Sequence, residues 1–326
     1  MRCLTGIKPT NVPHLGNLLG AIRPAIALQA SHDAYYFIAD LHALTTLQDP
    51  VEMRRYSVDV AATWLAMGLD PRRTVLWAQS DVPEVTELAW ILSCVIGLGA
   101  LERAHAFKAA RDAGRDINVG TFSYPVLMAA DILAYDTHLV PVGKDQKQHV
   151  EMARDMAIAF NARFGEVLVV PEASVQEDVA TVPGIDGRKM SKSYGNGIEV
   201  FLPAKALRKR VMQIVTDATP LEDPKNPETD NVFALYRLFA TPAQTEALAA
   251  RYRAGNYGYG HAKQELYEIL EAEVAPRRAR YEALLAEPGE VEAVLDDGAA
   301  RARVIARTTL SRVREACGFR STPRGA

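Results

Sequence analysis

The chain is poor in cysteine, has no long apolar run and is nearly balanced in charge, and each shortage narrows what it can be. Its cysteines, Cys3, Cys94 and Cys317, lie far apart in 326 residues and form no CxxC pair. That argues against a zinc or iron–sulfur site and against a disulfide scaffold, and it fits a reducing cytoplasm. No stretch approaches the ~20 uninterrupted apolar residues of a membrane span. The start, MRCLTGIKPT, lacks the apolar core of a signal peptide. The formal net charge is -3, so nothing global marks a nucleic-acid binder, and a basic footprint would have to be local. The rest is ordinary for a globular protein, with 48% hydrophobic and 24% charged residues. The length suggests two or three domains with ample material for a core.

The first half alternates short apolar runs with helical patterns. Residues 35–39, 74–77 and 138–142 read as buried strands, and a further strand is expected to precede Thr5. Residues 50–68, 84–96 and 148–164 read as helices. Alternation of this kind predicts an α/β fold with a Rossmann-type, doubly wound parallel sheet. Residues 108–120, charged and glycine-containing, read as a mobile surface loop. After about residue 198 the strand signal fades. Residues 204–216, 230–253, 261–286 and 289–316 read as helices rich in Ala, Leu, Glu and Arg. The expected division is a catalytic α/β domain over 1–198 and an all-α domain over 199–326.

Two short segments carry chemistry. Thr5-Gly6-Ile7-Lys8-Pro9-Thr10 leaves the first strand, Asn11-Val12-Pro13 turns, and His14-Leu15-Gly16-Asn17 opens a helix. Free backbone N–H groups and the helix dipole make such a start a natural anion site. Gly16, lacking a side chain, would let a flat adenine lie against the backbone. A plain strand-to-helix turn explains this segment equally well when it stands alone. The second segment is KMSKS: Lys189, Met190, Ser191, Lys192 and Ser193, followed by Tyr194-Gly195-Asn196-Gly197. A five-residue match of that kind arises by chance in roughly one chain in ten thousand of this length. Two lysines and two serines on a glycine-flanked loop suit a polyphosphate.

HLGN and KMSKS, in this order at the edges of an α/β region, resemble the HIGH and KMSKS signatures of the class I aminoacyl-tRNA synthetases. TGIKPTNVPHLGN, YPVLMAADILAYDTHLVPVGKDQKQHVEMARD and KMSKSYGN together resemble the tryptophanyl-tRNA synthetase family, in its short bacterial or organellar form. Asn17 replaces the final histidine of HIGH, Asn11 stands where glycine is frequent, and Lys144 stands where an acid is frequent.

The resemblance implies that ATP and L-tryptophan form a bound adenylate, which is then transferred to tRNA(Trp). It implies a homodimer, Mg²⁺ arriving with the ATP, and a C-terminal helical domain that meets the anticodon. The chain offers no carboxylate cluster dedicated to the ion, so the phosphates are expected to hold it. Lys8, Pro9, Thr10, Gly16 and Asn17 would touch ATP. Gly143, Lys144 and Asp145 would do so after the strand at 138–142, with Asp145 near the ribose hydroxyls. Val182 would lie against the adenine, and Lys189, Met190, Ser191, Lys192 and Ser193 along the phosphates. Lys189, Lys192, Asn17 and Thr10 are the groups expected to stabilise developing charge.

The side chains also bear on which amino acid is used. Indole offers one N–H donor and no acceptor, so its pocket needs a fixed acceptor at the end of an apolar slot. On a helix, Tyr124, Met128 and Asp131 share one face. Asp131 is expected to accept the indole N–H and Met128 to pack on the ring. A structural hydrogen bond is the plainer reading of Asp131, and core packing that of Met128. A tyrosine pocket usually carries a glutamine near the position of Met128, and here it is missing. The resemblance adds His42 to the pocket and places Gln146 near the substrate ammonium. Residues 301–314 hold five arginines and no acid. Arg303, Arg307 and Arg314 share a stripe that suits phosphates, although a solvated helix in a dimer bundle is the simpler reading. A tyrosine-specific synthetase, a nucleotidyltransferase with an HxGH-like signature, and a synthetase-like sensor without catalysis remain alternatives at this point.

Overall fold

A computed structural model describes residues 1–104, 107–108, 111, 114, 117–143, 146–175 and 182–320. Lys144 and Asp145 lie outside the described residues, as does part of the expected loop at 108–120. Five parallel strands form one sheet in the order β3-β2-β1-β4-β5. They are β1 (Arg2–Ile7), β2 (Asp33–Ile38), β3 (Thr74–Ala78), β4 (Leu139–Val142) and β5 (Glu172–Val175). Leu4 pairs with Tyr35, Tyr35 with Val75, and Leu139 with both Cys3 and Glu172. The strand order reverses between β1 and β4. In open α/β sheets, ligands bind beyond the carboxyl ends of the strands at such a reversal. The segments that leave β1 and β4 there are Lys8-Pro9-Thr10 and the stretch from Gly143 to Gln146.

The chain forms two compact units. The first comprises residues 1–10, 24–178 and 287–326, and the second residues 11–23 and 179–286. In the first unit, helices cover the sheet: α4 (Pro50–Ala66), α5 (Glu84–Ser93), α6 (Leu98–Glu102), α7 (Val119–Leu133) and α8 (Lys147–Phe164). Short helices precede them in the chain: α1 (Leu15–Asn17), which belongs to the second unit, then α2 (Arg23–Leu28) and α3 (Asp40–Ala43). Local chemistry sets the starts. Asp49 accepts from the N–H groups of Val51 and Glu52 ahead of Pro50, and Asn118 accepts from the N–H of Thr121. The expected loop therefore ends at Asn118, because its amide caps α7 there.

The last helix, α13 (Pro288–Ala316), also belongs to the first unit and packs on β3. A Cβ at Gly298 would lie 1.8 Å from the carbonyl oxygen of Leu76, so only glycine permits this approach. Ala299, Ala302, Ala306, Leu310 and Val313 join the core around Trp77, Val85 and Leu88. Arg303 and Arg307 pair with Glu84, and Arg314 with Glu87. Burial would raise the Glu84 carboxyl, but Arg303 and Arg307 outweigh it and hold the group below the usual range. The three arginines read from sequence as a phosphate stripe are thus committed to α5.

The second unit is helical: α9 (Ala204–Met212), α10 (Asn231–Tyr236), α11 (Pro242–Ala254) and α12 (Tyr259–Ala286). The single helix expected over 230–253 is broken before Pro242. Thr241 and Gln244 form a reciprocal capping box there, which starts a new helix. Lys225, only 3% exposed, donates 2.8 Å to the carbonyl of Pro220 and lies over the Tyr259 ring. A buried ammonium satisfied by main-chain oxygens fixes the loop around it.

Candidate active site

In the first unit the chemistry gathers beyond the carboxyl ends of β2, β3 and β4. His42 lies on α3 after β2, Gln79 follows β3, and Gln146 caps α8 after β4. Tyr124, Met128 and Asp131 project from one face of α7, as the helical spacing predicts. The Asp131 carboxylate is 2% exposed. His42 Nε2 lies 2.8 Å from its Oδ2, and Gln79 Nε2 donates to both oxygens at 2.8 Å. A carboxylate only accepts, so Nε2 is the protonated nitrogen of His42. The other nitrogen, Nδ1, is buried and has no hydrogen-bond partner among the described residues. Leaving such an atom unsatisfied costs about 1–3 kcal/mol, and a ligand is one way to recover it. Burial pushes the Asp131 carboxyl above the usual carboxylate range, with the His42 and Gln79 hydrogen bonds opposing it.

Tyr124 joins two parts of this cluster. Its ring meets His42 edge to face, with centroids 5.9 Å apart, and Lys8 Nζ lies 5.2 Å from its centre. Its hydroxyl is hydrogen-bonded to His149 Nε2, and His149 Nδ1 lies 3.1 Å from Gln146 Oε1. Met128 is partly buried and packs against the core. All five residues assigned to tryptophan are therefore described in one unit. Neither Gln79 nor His149 was singled out in the sequence. For Gln79 the available signal was its place just after a strand, like that of His42. For His149 it was a spacing of three from Gln146 at a helix start.

In the first unit, Lys8, Pro9 and Thr10 leave β1, with the Thr10 N–H donating 2.9 Å to the Lys8 carbonyl. The Gln146 N–H donates 3.0 Å to the Gly143 carbonyl.

In the second unit the two signature segments meet. The Leu15 N–H donates 2.8 Å to the Ile198 carbonyl, and the Val200 N–H donates 3.0 Å to Pro13. The His14 ring accepts from the Asn17 N–H at 3.3 Å, while Asn17 Oδ1 accepts from the His14 N–H at 3.0 Å. This reciprocal cap turns the Asn17 oxygen inward, so Nδ2 is the end suited to an oxyanion. Burial pushes the His14 imidazole below its usual value, which keeps it neutral and able to accept. A Cβ at Gly16 would come within 2.8 Å of that ring. The glycine thus makes room for His14, a requirement that the adenine argument did not foresee.

The KMSKS segment is tied from both sides. Met190 is 4% exposed and Val182 6%, and the Met190 N–H donates 2.8 Å to the Val182 carbonyl. Lys189, Lys192 and Ser193 are exposed, and Ser191 Oγ accepts from the Ser193 N–H. Asn196, 2% exposed, pins the loop: its Oδ1 accepts from the Ser191 N–H at 2.8 Å and its Nδ2 donates to Asp186 at 2.7 Å. Arg210 donates to the Gly197 carbonyl at 2.8 Å. Among the described residues, no group of three or more His, Cys, Asp or Glu is placed to hold a metal ion. No helix among them is long and apolar enough to cross a membrane.

The family model described as tRNA synthetases class I (W and Y) matches residues 1–275. The chain is 51% identical to a tryptophan–tRNA ligase of Rhodopirellula baltica, over 98% of this chain and 100% of that protein. It is 49% identical to one from Pseudomonas aeruginosa, over 98% of this chain and 74% of that protein. A crystal structure of tryptophanyl-tRNA synthetase from Campylobacter jejuni, complexed with ADP and tryptophan, superposes with a TM-score of 0.92. It is 46% identical and is matched over 98% of this chain and 100% of that one. A tyrosyl-tRNA synthetase from Aeropyrum pernix, 19% identical with a TM-score of 0.66, shares the fold.

Proposed function

The chain belongs to the class I tRNA synthetases of the tryptophan and tyrosine type, and from that premise we propose how its residues activate L-tryptophan with ATP and pass it to tRNA(Trp). The observation that carries the choice of amino acid is the buried Asp131 carboxylate at the head of the α7 face. Indole brings a single donor, and this cluster meets it with acceptors: the Asp131 oxygens and His42 Nδ1. Met128 lies one helical turn away to take the ring. Similarity at 46–51% identity to proteins that are tryptophan-specific points the same way.

In the first step the tryptophan carboxylate attacks the α-phosphorus of ATP, and the bond to pyrophosphate breaks. In the second, the terminal ribose hydroxyl of the tRNA attacks the carbonyl of the adenylate, and AMP leaves. Neither step needs a nucleophile from the protein, so catalysis is positioning and charge stabilisation. Lys189 and Lys192 neutralise charge building on the phosphates. Asn17, through Nδ2, and Thr10 donate to phosphate oxygens. Lys8, Pro9, Gly16, Gly143 and Val182 border the nucleotide, with Met190, Ser191 and Ser193 shaping the loop around its phosphates. Lys144 and Asp145 keep their assignment to ATP from the sequence, Asp145 toward the ribose. Tyr124 and Gln146 hold the amino-acid backbone, with Gln146 toward the ammonium. Mg²⁺ is assigned to the polyphosphate, with which it enters, and no step is routed through it.

Every residue assigned to ATP or tryptophan falls within 1–198, and the helical part, 199–326, is assigned to the tRNA. The enzyme works as a homodimer in the cytoplasm. Support for the dimer comes from exposed apolar side chains on the first unit: Trp90 is 71% exposed and Leu98 63%. Cys94 and Cys317 remain free thiols, which suits a reducing compartment. Amino-acid-dependent ATP–pyrophosphate exchange tests the whole reading. Tryptophan should support exchange and tyrosine should not. Exchange with tyrosine, or with neither, would overturn it.

A further inference from the structure

We propose that His149 is the positioning residue of the amino-acid site: it fixes both the Tyr124 hydroxyl and the Gln146 amide, and so the end of tryptophan that reacts. The inference rests on the reading that Tyr124 and Gln146 hold the tryptophan backbone. His149 is 2% exposed on the first turn of α8, three residues after Gln146 at the helix cap. Side chains at those two positions of a helix start face each other, as in a capping box. Here the imidazole takes the place usually given to a backbone group.

The protonation pattern follows from what each neighbour can do. Gln146 Oε1 is an acceptor only, so the nitrogen that faces it at 3.1 Å, Nδ1, carries the proton. In a neutral ring the other nitrogen, Nε2, is then an acceptor, and the Tyr124 hydroxyl must donate to it. One tautomer therefore sets two directions. The Tyr124 O–H points at His149 and its oxygen lone pairs are turned away from the ring. The Gln146 amide is held in one plane, with its carbonyl oxygen toward His149. An ammonium needs acceptors, and both groups are fixed with oxygens whose second lone pairs are set by the first bond. Tyr124 also packs on His42, which bonds Asp131, so the same tyrosine ties the two ends of the amino-acid site together.

A histidine that merely filled the core would be replaceable by an apolar ring of similar size. A positioning residue is not, and its two arms can be separated. Glutamine places an amide near the site of Nε2, and asparagine near that of Nδ1. His149→Gln keeps an acceptor for Tyr124 and loses Gln146. His149→Asn keeps a donor for Gln146 and loses Tyr124.

The experiment is steady-state ATP–pyrophosphate exchange on the full-length protein, with His149→Phe, His149→Gln, His149→Asn, Tyr124→Phe and Gln146→Ala, and thermal melting of each. Tyr124→Phe and Gln146→Ala should each raise the tryptophan KM. His149→Phe should raise it by at least about tenfold, the scale of a lost buried hydrogen bond, while the ATP KM stays within about twofold. The Gln and Asn variants should each recover part of that loss. Adding Tyr124→Phe to His149→Phe should cost little more, because one arm is already gone. The inference alone falls if the two partner variants raise the tryptophan KM and His149→Phe does not. It also falls if the losses simply add, or if they appear equally in both substrates in step with a lower melting temperature. If Tyr124→Phe and Gln146→Ala leave the tryptophan KM unchanged, the assignment of the site is wrong and the inference falls with it.

Discussion

Gln79 Nε2 donates to both carboxylate oxygens of Asp131, at 2.8 Å each, and so holds the acceptor of the amino-acid site in one orientation. Replacing Gln79 with leucine should leave the carboxylate buried with His42 as its remaining described partner. The tryptophan KM should rise about tenfold, near 1.4 kcal/mol, with the ATP KM little changed. Asp131→Ala removes the acceptor itself and should cost about 1.5–3 kcal/mol of tryptophan use. Exchange kinetics with tryptophan varied at saturating ATP would show both.

Acidification should move binding and stability in opposite directions. Burial raises the folded-state pKa of Asp131 above its unfolded value. The folded protein therefore takes up this proton first as pH falls. The contribution of the carboxyl to stability is full below the unfolded pKa and is lost as pH rises through the folded one. Protonation also puts a donor where indole needs an acceptor, so tryptophan binding weakens in that same window. Tryptophan affinity should drop as pH falls through the raised folded-state pKa of Asp131 in the wild type, while its stability relative to Asp131→Asn rises. Titration calorimetry and melting of both proteins across that window would check the two signs.

Lys192 is an exposed residue on a loop held by Asn196. Lys192→Ala should slow adenylate formation by roughly 10²–10³, about 2.7–4 kcal/mol, and shift the ATP KM much less. Transfer from preformed adenylate should be less affected, because pyrophosphate has already left. Asn196→Ala should slow the same step by about tenfold through loss of loop order. Single-turnover kinetics separate the steps. Equal losses in ATP affinity with an unchanged chemical rate would mark Lys192 as a ground-state contact.

Trp90 is 71% exposed on α5, and an indole left in water is a common anchor for a second subunit. Trp90→Arg should give a monomer in sedimentation experiments at micromolar concentration, with the melting temperature of the single subunit preserved. An unchanged dimer would move the interface elsewhere.

Gly298→Ala tests how the last helix docks. The new Cβ would lie 1.8 Å from the Leu76 carbonyl oxygen, so strand or helix must move. A loss of about 3 kcal/mol is expected, at the upper end of overpacking penalties. Gly289→Ala on the same helix meets nothing within 4 Å and serves as the control. Chemical denaturation of the two variants should separate them clearly.

Four strands and most helices were legible in the chain, because strands buried on both faces read as apolar runs and helices as periodic ones. β5 was not. Its sequence, Glu172-Ala173-Ser174-Val175, is short and polar, as an edge strand can be. The signature segments and α7 stood out by residue type. Gln79 and His149 did not, since a polar residue after a strand and a histidine in KQH look like solvated surface until the partners are known. The return of α13 to the sheet left only Gly298 as a trace, and an isolated glycine in a helix has many readings.

That return has a consequence for how the protein is made. β3 leaves the ribosome roughly 200 residues before the helix that covers it, a delay on the order of 10–40 s at ordinary rates of synthesis. Through that interval the ground beneath Ala302, Ala306 and Leu310, around Trp77, has no lid of its own. Nascent chains should therefore lean on a chaperone late rather than early. A message cut short before α13 would yield a polypeptide cleared by proteases rather than a partly working enzyme, so α13 acts as a check that translation has passed through it.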